Sequence, residues 1–482
     1  MGILRGKFKY KIHKQMSFQT FIDNLLKQGG VGDGNRTKIL TPQNIKKLQI
    51  AFTHESADII NNYEYYEFLG DTVVNQFLAL YTIQRFKTVV NIGWLTKIKH
   101  LLQSKKILSK IAKDNGFEKH INYNPQNIHP KKKENPNWYI TILEDVLEAF
   151  CGCLVSIFEE NFVEKSLEAD HGRMVGIAVT NNILRPFFDK IDVPMDYKKI
   201  ADAVSRLKEL YESTKMDPKV GSKNPRDVYY YIPRLRETQP YIIKVNGWPA
   251  GFDPDQPRKN RISVGEAKGM DEEETKQAAA EDGLKTMKDA YGKFLPEPDP
   301  FKSGNLAEEN LVIPPTFKDF IDLFLIWGDI AGDIREKMLA PKYLKMFYAS
   351  CTHKSEGVED QEYFKFIGNP VVNCFLAYAT KNRFPFRLKT GWATRIQHTL
   401  RNKRMIAVAL AKYSDIEKYI RYKKENMPPQ KLLVSTWYPT IIEGTFDALC
   451  GCIVKTMEDL KYDSITGLNA TNHLSHYFFS KV

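Results

Sequence analysis

The chain of 482 residues has no apolar run approaching the roughly 18 to 20 residues that cross a bilayer, which argues against a membrane-spanning helix. Its first residues lack an apolar core and a cleavage site, so no secretory signal is read there. Gly6 stands where an N-myristoylation motif wants Ser or Thr. Cysteine is scarce, and six in a chain of this length exclude a disulfide scaffold. Four of them form two Cys-Gly-Cys units, Cys151/Cys153 and Cys450/Cys452, without His or Cys partners at zinc-finger spacing. They are expected to be small buried core residues in a reducing compartment. The expected location is therefore intracellular, cytoplasmic or nuclear, with no membrane partner. Acid is missing from residues 1–14, which hold Arg5, Lys7, Lys9, Lys11 and Lys14. That stretch reads either as a frayed end or as a basic arm that touches phosphates.

What is present is an ordinary globular composition. Hydrophobic residues make up 43%, and the length suits roughly two to four domains. Lys and Arg total 70 against 58 acids, a net +12 that mildly favours an anionic partner.

A long internal repeat organises the chain. Thr53-His54-Glu55-Ser56 returns as Thr352-His353-Lys354-Ser355, and Phe68-Leu69-Gly70 as Phe366-Ile367-Gly368. Gly93-Trp94 returns as Gly391-Trp392, Trp138-Tyr139 as Trp437-Tyr438, and the first Cys-Gly-Cys as the second. The offset stays at 298 or 299 residues throughout. A constant offset over such a span means duplicated domains rather than a solenoid.

Both copies have helical periodicity, clearest over residues 67–86, 95–112 and 140–158. Between them residues 201–212 read as a helix, residues 228–232, 241–245 and 261–264 as strands, and Thr275 to Met287 as an Ala-rich helix. A Pro-rich stretch follows and reads as a linker. The expected domains are 1–195, 196–293 and 313–482, with the linker at 294–312. The expected fold class is mainly α: two all-α domains and one small α+β domain of order α-β-β-β-α.

In the first copy Glu67 and Asp71 stand one helical turn apart on one face, as do Asp145 and Glu148. Most acidic pairs on helices are solvated. These lie among apolar neighbours, in Tyr66-Glu67-Phe68-Leu69-Gly70-Asp71 and in Ile142-Leu143-Glu144-Asp145-Val146-Leu147-Glu148, where surface decoration is a poor explanation. Two such pairs facing each other repel unless cations sit between them. Hard divalent ions take oxygen ligands, and two of them clamp the attacking and leaving oxygens of a phosphodiester. Gly70 leaves room for another helix to come close.

At these residues the sequence resembles the ribonuclease III family. The matching motifs are Thr53-His54-Glu55-Ser56, then Glu64-Tyr65-Tyr66-Glu67-Phe68-Leu69-Gly70-Asp71, then Asp145-Val146-Leu147-Glu148-Ala149, in the family's order. The resemblance implies that Glu67, Asp71, Asp145 and Glu148 are catalytic and bind Mg²⁺, with Mn²⁺ as an alternative. It implies hydrolysis of double-stranded or hairpin RNA to 5′-phosphate and 3′-hydroxyl ends. His54 is expected to be a structural hydrogen-bonder.

The second copy departs from this pattern. Lys365 stands for Glu67, Asn369 for Asp71, Gly444 for Asp145 and Asp447 for Glu148. One acid of four survives, a lysine enters, and Pro370 falls in helix interior, where it costs roughly 3 kcal/mol. This degenerate copy is expected to bind no catalytic metal. The family pairs two such domains across a duplex. One live and one dead copy pairing inside a chain would cut one strand, whereas two chains pairing as a homodimer through live copies would cut both.

The middle segment resembles a double-stranded-RNA-binding domain, most closely at Gln277-Ala278-Ala279-Ala280-Glu281. Where that family has lysines, this chain has Asp271-Glu272-Glu273-Glu274. Acids there suit the helix dipole and repel phosphates. A scaffold or a dock for a protein partner is the favoured reading. RNA contacts are sought instead at Lys131, Lys132 and Lys133, and at Arg401, Lys403 and Arg404. Two functions stay open. One is a metal-dependent endoribonuclease with a single centre. The other is a non-catalytic RNA-binding or assembly subunit, against which the four intact carboxylates argue.

Overall fold

The computed structural model describes residues 17–481 except 131–137, 162–168, 214–228, 232–240, 248–261, 270, 293–296, 303–311, 357–359, 385–389, 428–431 and 433–434. The order of elements repeats. Helices Phe18–Gln28, Asp33–Ile39 and Pro42–Ala51 open the first copy, and Pro315–Trp327, Gly332–Met338 and Pro341–Ser350 open the second. Local chemistry sets these starts. Ser17 accepts a hydrogen bond from the Thr20 N–H and Thr41 from that of Asn44, each satisfying a donor that the first turn leaves open. Proline heads Pro42–Ala51, Pro315–Trp327 and Pro341–Ser350, where its missing N–H costs nothing. A short parallel bridge, Thr53 with Asn122, recurs as Thr352 with Arg421.

Two long helices cross at the centre of each copy. Glu64–Arg85 packs on Trp138–Asn161, and Asp360–Arg383 packs on Trp437–Asp459. Glycines decide how close they come. A Cβ on Gly70 would stand 1.7 Å from the Glu148 carbonyl oxygen, and one on Gly152 would stand 2.2 Å from that of Tyr66. Gly368 and Gly451 make the same approach in the second copy, 1.8 Å from Asp447 O and 2.0 Å from Phe364 O. The glycine of each Cys-Gly-Cys unit is thus a crossing point, and its cysteines are buried and free, as expected. Replacing Gly70 by alanine should push the helices apart at the cost of about 3 kcal/mol. A denaturant midpoint equal to wild type would refute that.

Pro370 does not end its helix, which runs unbroken over Asp360–Arg383. The reason is burial on both sides. Ile367, Val371, Cys374, Ala377 and Tyr378 belong to the core of the first copy, whereas Phe364, Val372, Phe375 and Leu376 belong to that of the second. Packing of this kind outweighs local propensity. The two copies therefore share apolar interior along the line where Asp360–Arg383 lies against Glu64–Arg85.

The middle segment has the expected order: helix Ala203–Ser213, strands Tyr229–Tyr231, Tyr241–Gly247 and Ile262–Gly269, and helix Glu272–Tyr291. The strands form one antiparallel sheet in chain order, with a register slip between Val245 and Asn246. A small separate core joins sheet and helices through Leu207, Ile243, Val245, Val264, Ala279 and Ala280. Asp271 caps the last helix by accepting from the Glu274 N–H.

Part of the Pro-rich stretch is anchored. The Trp94 indole N–H donates to the Pro298 carbonyl at 2.6 Å, and the Val90 and Asn91 amides donate to that of Pro300 at 3.0 and 3.2 Å. A buried indole needs an acceptor, and the linker supplies it. No described helix is long and apolar enough to cross a membrane.

Candidate active site

The helix crossing at Gly70 carries the carboxylates with it. Glu67, Asp71, Asp145 and Glu148 all line one cavity of about 610 Å³. Residues distant in sequence thus share one wall because two glycine-cleared helices meet there. A fifth acid, Glu144, lines the same cavity, with its carboxylate 3.2 Å from the Lys105 ammonium.

The environment of each acid differs. Glu148 is 7% exposed, and burial, then repulsion from Asp71 and Glu144, holds its carboxyl well above the usual range. Burial and then Asp145 push Glu67 up to about 8. Burial raises Glu144 to about 7, with Lys105 opposing. Asp71 sits at the cavity mouth. Loss of hydration raises it, opposed by the Gln103 amide at 3.5 Å and by the charge of Lys99. Asp145 accepts a hydrogen bond from the Tyr63 hydroxyl at 2.8 Å. Burial, and then the neighbouring Asp145, hold the hydroxyl above its ordinary pKa, so it remains a donor.

This set is under electrostatic stress that a cation would relieve. Its donors are all oxygen, which suits a hard divalent ion. Among the described residues, no group of three or more His, Cys, Asp or Glu is gathered closely enough to ligate one ion directly.

The opposite wall comes from the second copy. Asn373, Thr394, Gln397, His398 and Arg401 face the carboxylates across the cavity. Of this wall only Arg401 stood out in the sequence, as a candidate RNA contact; Asn373, Thr394, Gln397 and His398 did not, nor did Glu144, Tyr63 and Gln103. Glu144 had one available signal, since the repeat pairs it with Glu443.

The degenerate positions also come together. The Lys365 ammonium donates to Glu362 at 3.0 Å, and the space beside Gly444 is filled by the Lys365 side chain, whose Cε lies 3.3 Å from where a Cβ would stand. Burial raises Glu362, but Lys365 and Lys354 outweigh it and bring the carboxyl below its usual range. Asn369 donates to Asp447 at 3.0 Å. Arg401 approaches Asp447 at 2.7 Å through Nη2 and Glu443 at 3.4 Å through Nε.

Arg401 is therefore not part of an exposed basic patch with Lys403 and Arg404. Its guanidinium turns inward, because Asp447 is almost fully buried and needs a cation. The side chains of Lys403 and Arg404, and all of Lys131, Lys132 and Lys133, lie outside the described residues. His54 accepts from the Ser56 N–H at 3.0 Å and lies 2.8 Å from its hydroxyl, and that hydroxyl accepts from the Asn124 N–H. Through Ser56 it ties the loop before Glu64 to the segment at Asn124, and it lines a second cavity with Tyr63, Glu67 and Asp145.

The Ribonuclease III domain family model matches residues 64–156. The ribonuclease 3 homologue of Invertebrate iridescent virus 6 is 26% identical over 292 residues, 59% of this chain and 92% of that protein. That of Frog virus 3 is 30% identical over 167 residues, 34% of this chain and 41% of that protein. Ribonuclease 3 of Lactobacillus acidophilus is 34% identical over 117 residues, 23% of this chain and 49% of that protein. Among solved structures, Dicer from Giardia intestinalis aligns at 12% identity and a TM-score of 0.37, over 86% of this chain and 54% of that one.

Proposed function

Because this chain belongs to the ribonuclease III family of endoribonucleases, we propose that it cuts one strand of double-stranded or hairpin RNA per binding event, through a single Mg²⁺-dependent centre in its first copy, leaving 5′-phosphate and 3′-hydroxyl ends. The observation that carries this reading is the shared cavity, with the carboxylates of the first copy on one wall and the second copy on the other. Glu67, Asp71, Asp145 and Glu148 would hold the metal. When bound, it would activate water and stabilise charge on the leaving oxygen. The Tyr63 hydroxyl keeps Asp145 oriented as an acceptor, and Gln103 does the same for Asp71. Glu144 stays held by Lys105 at the edge. The middle domain serves as a scaffold, since its exposed Glu272, Glu273 and Glu274 repel phosphates.

Pairing inside the chain is supported by the contact between copies. Glu159 is 3% exposed and receives Lys381 and Asn382 from the second copy, besides Arg173 at 3.5 Å from its own. Tyr378 donates to the Gly152 carbonyl at 3.2 Å. The repeat places Ile83 where Lys381 stands. Two first copies pairing across chains would set isoleucine against a buried carboxylate. Glu159 would then lose the Lys381 ammonium and keep Arg173 of its own copy, so pairing inside the chain compensates its buried charge better.

The test is a long RNA hairpin labelled separately on each strand, incubated with Mg²⁺. One nicked strand is expected. Cuts in both strands would show live copies pairing across two chains, and no cutting by pure protein would favour a non-catalytic role.

A further inference from the structure

We propose that Arg401 is the built-in counter-ion of the second copy, a guanidinium standing where the first copy takes a metal ion, so that this half keeps its site intact without metal. The comparison rests on the metal reading of the first copy.

The geometry assigns Arg401 the role through two contacts and one contrast. Its Nη2 lies 2.7 Å from Asp447 and its Nε 3.4 Å from Glu443. Asp447 also accepts from Asn369 at 3.0 Å. Asp447 is 2% exposed and Glu443 9%, so neither could stay ionised there unpaired at low cost. The repeat matches Arg401 to Gln103, Glu443 to Glu144 and Asp447 to Glu148. In the first copy a neutral amide thus stands where the second has a cation.

The substitutions form one electrostatic solution. Lys365, Asn369 and Gly444 remove three carboxylates, and Arg401 neutralises much of what remains. Arg401 also fits the geometry of this job. A planar guanidinium with fixed donors suits two carboxylates at once and stays charged at any working pH. It enters from the loop after Thr390–Leu400, and only the folded chain brings it to the Trp437–Asp459 helix.

The experiment uses the full chain carrying Glu67→Gln and Glu148→Gln, so that the first copy adds no metal effect, and reads thermal unfolding in EDTA and in Mn²⁺. Adding Arg401→Gln should lower the midpoint in EDTA by several degrees, or leave the second copy unfolded. Adding Glu443→Gln and Asp447→Asn on top should recover most of that loss, because both charges of the pair are then gone. Mn²⁺ should raise the midpoint of the Arg401→Gln protein and leave that of the Arg401 protein unchanged.

A midpoint unaffected by Arg401→Gln would overturn the proposal. So would failure of the added neutral pair to recover stability, which would assign Arg401 to packing rather than charge. A Mn²⁺ shift in the Arg401 protein would overturn it too. Failure of the metal reading itself appears elsewhere, as the absence of any Mn²⁺ shift in the chain with Glu67 and Glu148 intact.

Discussion

Glu148→Gln should abolish strand cutting while making the metal-free protein more stable. The substitution keeps the shape of the side chain and removes its charge. Glu148 is the most deeply buried of the four proposed ligands and stands across the helix crossing from Glu67 and Asp71. A ligand of a catalytic metal contributes several kcal/mol to transition-state stabilisation, and about 4 kcal/mol corresponds to roughly a thousandfold in rate. Cleavage should fall by at least about that factor. Stability should move the other way, since a buried carboxylate that repels its neighbours is replaced by a neutral amide. Single-turnover cleavage and denaturant unfolding in EDTA measure the two effects separately. Loss of both together would mark Glu148 as structural, and retention of cutting would remove it from the centre.

The metal-free protein should lose stability as the pH rises from about 4.5 towards about 8, the interval set by Glu67 between its ordinary and its folded value. The sign follows from proton binding. Glu67, Glu144 and Glu148 have folded values raised by burial and mutual repulsion, so the folded state holds more protons than the unfolded one in this window. Stability is then full below the unfolded pKa and declines as pH passes through the folded one. Adding Mg²⁺ near pH 8 should restore what was lost, because an ion that binds the folded site stabilises it by mass action. Thermal midpoints against pH, with EDTA or Mg²⁺, give the profile. A flat EDTA profile, or one that rises with pH, would show that the acids are not under the stress described here. The Glu67→Gln, Glu148→Gln double variant should flatten it.

The legible parts of the chain share a physical property: they are written in local spacing. Four-residue and three-residue separations place Glu67 with Asp71 and Asp145 with Glu148 on helix faces. Gly70 could be read as a close-packing point because glycine tolerates another backbone so near, and the Cys-Gly-Cys cysteines as buried core residues. A constant offset shows duplication, and the changes at Lys365, Asn369, Gly444 and Asp447 show which copy lost its acids. The α-β-β-β-α order in the middle was readable from period-two and period-3.6 patterning.

What the sequence could not show depends on contacts between distant segments. Pro370 reads locally as a helix breaker, yet its helix continues because both faces are buried in two cores. Arg401, Lys403 and Arg404 look like one basic cluster, but burial of Asp447 draws Arg401 inward. Lys381 is one surface-looking cation among 70 basic residues until the fold sets it against Glu159. The sequence by itself determined the helices, the duplication and the inventory of acids, because each follows from neighbours along the chain. The tertiary structure alone decided which charges meet, since the cost of a buried charge depends on what stands opposite it across a packed interface.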